Sequence, residues 1–194
     1  MRILSTFFLL LFFLKAYSQS IVVNKVNQDG SRIVSTDEYV IKTGFTDRTP
    51  FLYSIKAYIS PDKEITYYLG LRINSMYNIT IPQNGIILFK TKSGKVIESK
   101  QQLDDYKTED VIGTYFPIIG MTIHSSHGVY PISYEDLLDL ATEGAVKVRV
   151  ETNTENLDAN YSEKKTNTFS EELSSRLSLV NKISTQKNDI REGF

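Results

Sequence analysis

Tyr53-Ser54-Ile55-Lys56-Ala57-Tyr58-Ile59-Ser60-Pro61-Asp62-Lys63-Glu64-Ile65-Thr66-Tyr67-Tyr68-Leu69-Gly70-Leu71-Arg72-Ile73 is the stretch on which the fold turns. Tyr53, Ile55, Ala57 and Ile59 alternate with polar or larger neighbours. Beyond Pro61-Asp62-Lys63-Glu64, Ile65, Tyr67, Leu69, Leu71 and Ile73 do the same. A period of two marks a strand with one apolar face. Two such runs around a Pro-Asp turn predict an antiparallel hairpin, dry on one side and wet on the other. A slip of one residue would turn one strand's apolar set to water. Paired residue numbers should therefore add to an even value, 124 or 126. Lys56, Tyr58, Tyr68 and Arg72 then share the outward face.

Strand signals continue on both sides. Ser20 to Val26, Asn27-Gln28-Asp29-Gly30 and Arg32-Ile33-Val34 predict a hairpin, because Asp-Gly tolerates positive φ. Glu38 to Lys42 reads as a further strand and Ile79 to Pro82 as a short extended piece. Ile86-Ile87-Leu88-Phe89 turns at Ser93-Gly94 and returns through Val96-Ile97-Glu98; its unbroken apolar run predicts burial on both faces. Gln101 to Gly113 reads as an acidic loop or short helix. Thr114 to Thr122 reads as an edge or bulged strand because of Pro117.

Helices come late. Ser133 is placed as an N-cap, Glu135 and Asp136 suit a first turn, and Gly144 suits the end. Tyr134, Leu137, Leu138 and Ala141 form the expected apolar face. Val146, Val148 and Val150 then alternate as a strand in or against the main sheet. Asn153 to Asn167 is polar. Thr168-x-x-Glu171 has capping-box spacing, and Phe169, Leu173, Leu177, Val180 and Ile183 form a stripe for a helix of about four turns. The expected class is α+β, mainly β: an antiparallel sandwich-like or curved sheet with two helices in the C-terminal half.

The front of the chain gives an address. Met1-Arg2 is followed by an apolar run, Ile3 to Leu14, too short for the roughly 20 residues of a membrane span. Ala16-Tyr17-Ser18 supplies small residues for a signal peptidase. The expected organisation is a signal peptide over 1–18, one β-rich domain over 19–184 and a disordered tail over 185–194. The processed protein would be periplasmic or secreted, with no transmembrane helix left after cleavage near Ser18/Gln19.

Composition narrows the classes. The 194 residues carry 22 Lys+Arg against 23 Asp+Glu, so no basic surplus points to nucleic acid. With no Cys, thiol catalysis, zinc-thiolate sites and disulfides drop out. No cofactor is implied.

Leu88 to Glu98, Tyr130 to Leu138 and Gly144 to Thr152 together resemble segments of exported Bacteroidetes proteins without an assigned activity. Gln19 directly after the cleavage site resembles their signal peptides. The resemblance implies a cell-envelope setting and no functional residues.

Four candidate sites follow. Lys56, Tyr58, Tyr68 and Arg72 offer stacking area, hydroxyls and cations to a protein or glycan partner, although the lack of Trp weakens the glycan case. His124 and His127, spaced H-x-x-H before Gly128, would share a metal if the chain turned between them. The third ligand would come from the acidic loop at Asp104, Asp105, Glu109 and Asp110, which alternatively suits calcium. Ser125 or Ser126 beside His127 invites a hydrolase reading, but no G-x-S-x-G elbow is present. The reading is a non-enzymatic extracytoplasmic binding or interaction module. Its alternatives are a metal-dependent hydrolase using His124 and His127, and a structural subunit of a surface assembly with an apolar edge strand.

Overall fold

The computed structural model describes residues 20–41, 51–75, 77–102 and 124–185. Its centre is the hairpin of β4 (Phe51–Ile59) and β5 (Ile65–Ser75), paired antiparallel from Phe51↔Ile73 to Ile59↔Ile65. Every pair adds to 124, the even register that buries the odd-numbered face. Tyr53, Ile55, Leu69 and Ile73 are fully buried. Lys63, at the turn, takes the positive φ of 69°.

Four further strands complete the first sheet. β1 (Ile21–Val26) pairs with β2 (Arg32–Thr36) through the expected turn, where Gly30 has φ 85°. Ser31 N–H and Oγ both donate to the Asp29 carboxylate, which closes that turn. β2 and the short β3 (Tyr39–Val40) lie in succession along β4. β8 (His124–Ile132) covers the other side of β5. The order is β1-β2-β4-β5-β8, all antiparallel.

The second sheet runs β10-β9-β6-β7, from β6 (Ile86–Thr91), β7 (Val96–Lys100), β9 (Ala145–Glu151) and β10 (Asn156–Asn160). β6 is buried on one face only, which corrects the two-sided expectation. Ile87 and Phe89 point inward, whereas Ile86 and Leu88 are half-buried on the outer face between charged neighbours of β7 and β9. The predicted valine strand, β9, belongs to this sheet. β10 was not anticipated: Asn-Leu-Asp-Ala-Asn has little strand propensity and is held by its ladder to β9.

Both helices form. α1 (Tyr134–Glu143) is capped by Ser133, whose Oγ accepts from Asp136 N–H, and ends at Gly144 with φ 74°. A side chain at Gly144 would lie 2.3 Å from the Thr166 carbonyl oxygen, so the position needs glycine on two counts. The buried face is Leu137, Leu140 and Ala141, while Tyr134 and Leu138 are exposed, a rotation from the expected set. α2 runs Glu163–Thr185, starting before the supposed capping box. Thr168 lies inside the helix and donates back to the Lys164 carbonyl at 3.0 Å. The stripe itself is as read: Phe169, Leu173, Leu177 and Val180 are buried and Ile183 partly so.

α2 and the second sheet both pack on the odd-numbered face of the hairpin. Phe169 meets Tyr53 edge-on at 5.3 Å, Tyr39 at 6.2 Å and Phe89 at 6.1 Å. This aromatic cluster joins helix and both sheets, adding to area burial about 0.5–1.5 kcal/mol per favourable ring pair. The Tyr53 and Tyr161 hydroxyls bond to each other at 2.9 Å, satisfying two buried polar groups at once. Arg176, nearly buried, sits 4.4 Å from the Tyr39 ring centroid, pairs with Glu172 and reaches Asp37 at 3.4 Å. It pins α2 to the β2–β3 corner.

Candidate functional site

Because described packing lies on the odd-numbered side of β4 and β5, the even-numbered residues form the opposite face. Pairing arranges them in rows across the strands. Ile33, Tyr58 and Thr66 make one row; Ser35, Lys56, Tyr68 and Pro131 the next. Ser54, Gly70 and Val129 follow, then Leu52, Arg72 and His127. Rows two residues apart are about 6.8 Å apart.

Lys56 and Tyr68 are direct cross-strand partners, and Tyr58 lies on their diagonal, so these three form one group. Arg72 stands two rows beyond Tyr68, separated by Gly70. A side chain at Gly70 would come within 2.3 Å of Ser54 Oγ; the glycine and the buried serine hydroxyl form a low floor between the two groups. All four predicted residues are half-buried. Burial holds the Lys56 ammonium below the usual lysine range, with the Glu38 charge opposing that shift.

Arg72 is bonded to Glu38 at 2.5 Å and faces His127 across the β5–β8 pair. Its Nε is buried without a hydrogen-bond partner among the described residues. Glu38 and His127 were not anticipated on this face. Glu38 arrives through pairing of β3 with β4, and His127 through pairing of β8 with β5. Neither long-range pairing has a local signal in the sequence.

The H-x-x-H motif lies on the continuous strand β8 instead of a turn. Alternation sends residues three apart to opposite faces. His127 lies on the Arg72 side, whereas His124 falls on the face of Ser126 and Tyr130. The geometry thus separates the two imidazoles. Among the described residues no three His, Asp or Glu side chains gather as a metal site. The acidic residues 104–110 lie outside the described residues, as do 1–19 and 186–194 with their expected leader and tail.

The serines are split in the same way. Ser126 Oγ faces inward and accepts from Ile81 N–H at 2.9 Å. Ser125 Oγ lies 3.3 Å from His127 Nε2 but donates its proton to Asn74 Oδ1 at 2.9 Å. A serine nucleophile needs that proton directed to the imidazole. Ser125 is also buried. Asn74, Ser125 and His127 on one side and Arg72 with Glu38 on the other therefore make two bonded polar groups, facing each other across the His127–Arg72 pair, beside an aromatic group of two tyrosines and a lysine. No protein-family model, no curated protein and no solved structure matches the chain.

Proposed function

We propose that this chain is a non-enzymatic binding module of the bacterial cell envelope, acting outside the cytoplasm, and that it meets a protein or glycan partner through the even-numbered face of β4 and β5. One observation carries the reading. Tyr58, Tyr68 and Lys56 stand together on the side of the central hairpin away from α2 and the second sheet. Tyrosines supply flat contact area at low entropy cost together with a hydroxyl, and a neighbouring lysine adds a directional charge. Arg72 adds a second cation at the far end of the same face. The short apolar leader supports export. No helix among the described residues is long and apolar enough to cross a membrane.

The test is retention of envelope components on immobilised protein that has been processed from its own leader. Tyr58→Ser with Tyr68→Ser should abolish retention while far-UV circular dichroism stays unchanged. Lys100→Ala, on the outer face of the second sheet, should leave retention intact. Equal retention by all three proteins would overturn the reading. So would metal-dependent ester hydrolysis that disappears in His127→Ala.

A further inference from the structure

Between the tyrosine group and Arg72, the outward face of the central hairpin carries a depression. Ser54, Gly70 and Val129 form its row, and Tyr68 and Arg72 stand on β5 two residues to either side of Gly70. Their Cα atoms are about 13–14 Å apart, four residues of extended chain. Gly70 keeps the floor low, since a side chain there would meet Ser54 Oγ at 2.3 Å. Lys56 leans over the same floor from the row of Tyr68, its Cε 3.6 Å from where a Gly70 side chain would begin.

Two polar groups in this depression lack a partner among the described residues. Ser54 is only 5% exposed, yet its hydroxyl bonds to none of them. Arg72 gives Nη2 to Glu38, while its Nε is buried and unbonded. Buried polar groups are normally hydrogen-bonded, and one that belongs to a charged side chain is the costliest to leave without an acceptor. Both groups lie on the face opposite the core, where a ligand supplies what the chain does not. We propose that the depression binds a carboxylate-bearing sugar, a hexuronate unit of an acidic glycan. The carboxylate takes Arg72 Nε–H, the ring lies over Gly70 beside Tyr68, and a ring hydroxyl meets Ser54 Oγ. This inference rests on the binding-face reading above and names its ligand.

Charge selects the anion. Arg72 and Lys56 against Glu38 leave one net positive charge, which matches a carboxylate; a phosphate dianion would bring a second negative charge against Glu38. Arginine also presents a planar donor edge that suits a carboxylate. The remaining groups select a sugar over an acidic peptide. Glu38 accepts hydrogen bonds, and the Ser54, Tyr58 and Tyr68 hydroxyls both give and accept them. Sugar hydroxyls answer both kinds, whereas an Asp or Glu side chain brings acceptors alone and sets a like charge against Glu38. Tyr68 adds ring area for the C–H face of a pyranose. Without Trp, stacking contributes less, so the charged contact carries more of the affinity.

Calorimetric titration of processed protein with trimers of glucuronate, galacturonate and mannuronate tests this, with their neutral methyl esters and tetraglutamate as comparisons. At least one trimer should bind, and its methyl ester should bind about tenfold more weakly or worse. Arg72→Gln should cause a loss of the same size. Because that variant also releases Glu38, Ser54→Ala gives a second measurement, a severalfold loss at unchanged circular dichroism. Lys100→Ala should bind as wild type does. Absence of binding by all three trimers would overturn the proposal. So would equal binding of the esters, tighter binding of tetraglutamate, or indifference to both variants. If the trimers fail while the two tyrosine substitutions still abolish retention of envelope components, the face binds another ligand and this inference alone falls.

Discussion

On the outward face of the second sheet, Asp158 lies between Lys147 at 2.8 Å and Arg149 at 2.6 Å, and Arg149 makes a second bond to it at 2.7 Å. On the outward face of the first sheet, the corresponding positions hold Tyr58, Tyr68, Ile33 and Pro131, with Lys56 among them. Both faces arise from the same rule, alternation in an antiparallel sheet with one side buried. Their chemistry diverges. On the second sheet the Asp158 carboxylate is held by Arg149, its cross-strand partner, and by Lys147 on the diagonal. The first carries half-buried aromatic area, and its ion pair, Glu38–Arg72, sits at one end of that area.

Both faces hang on one core, and the largest expected effect tests that dependence. Phe169→Ala removes the ring that touches Tyr39, Tyr53 and Phe89 and should cost about 3–5 kcal/mol. Denaturant unfolding followed by tyrosine fluorescence and by far-UV signal should shift together. Separate transitions for the two sheets would show that they do not share a core.

Arg176→Met separates the faces instead of removing both. The guanidinium serves Glu172, Asp37 and the Tyr39 ring at the β2–β3 corner, so the loss, about 2 kcal/mol, should fall on the first sheet. Hydrogen exchange should accelerate in β2 and β3 and remain unchanged in β9. Uniform acceleration would contradict a local pin. Smaller again is Gly70→Ala, which forces a methyl against Ser54 Oγ on the aromatic face and should cost about 1–2 kcal/mol. Ser54→Ala with Gly70→Ala should recover most of it. If the double variant is no better, the floor between the tyrosines and Arg72 is set by something other than that contact.

The parts of this molecule that could be read from sequence are those whose causes are local. The even register of β4 and β5 follows from alternation alone, and the α1 boundaries from Ser133 and Gly144. The stripe of α2 follows from helical spacing. Where the cause lies far along the chain, the local sequence carries little of it. β10 alternates, with Leu157 and Ala159 between polar residues, but over five residues of low strand propensity, and β9 supplies its partners. The start of α2 is polar, and Thr168-x-x-Glu171 imitated a cap that the helix passes through. The same division runs through the candidate face. Parity placed Lys56, Tyr58, Tyr68 and Arg72 together on one side, yet only the β3–β4 and β5–β8 pairings bring Glu38 and His127 to Arg72. The H-x-x-H spacing misled because its meaning depends on whether the chain turns, and in β8 it does not.

The smallest effect probes the other half of the comparison, whether the second sheet's outward face is held by charge. The Arg149 and Lys147 hydrogen bonds hold the Asp158 carboxyl well below the usual aspartate range. A carboxyl depressed in the folded state binds its proton more readily when unfolded, so it stabilises the fold above the unfolded value, about 3.9. That contribution is lost as pH falls through the folded value. Wild type should therefore exceed Asp158→Asn in melting temperature at pH 7, with the gap narrowing steadily below about pH 4. Because the pair is largely exposed, added salt should also reduce the gap. Over the same range, Tyr58→Ser and Tyr68→Ser should differ from wild type by an amount that changes less with acid and salt than the Asp158→Asn gap, because these substitutions remove ring contact and no charge. A gap for Asp158→Asn that survived both acid and salt would mean that the β9–β10 ladder, and not its ion pairs, sets this surface.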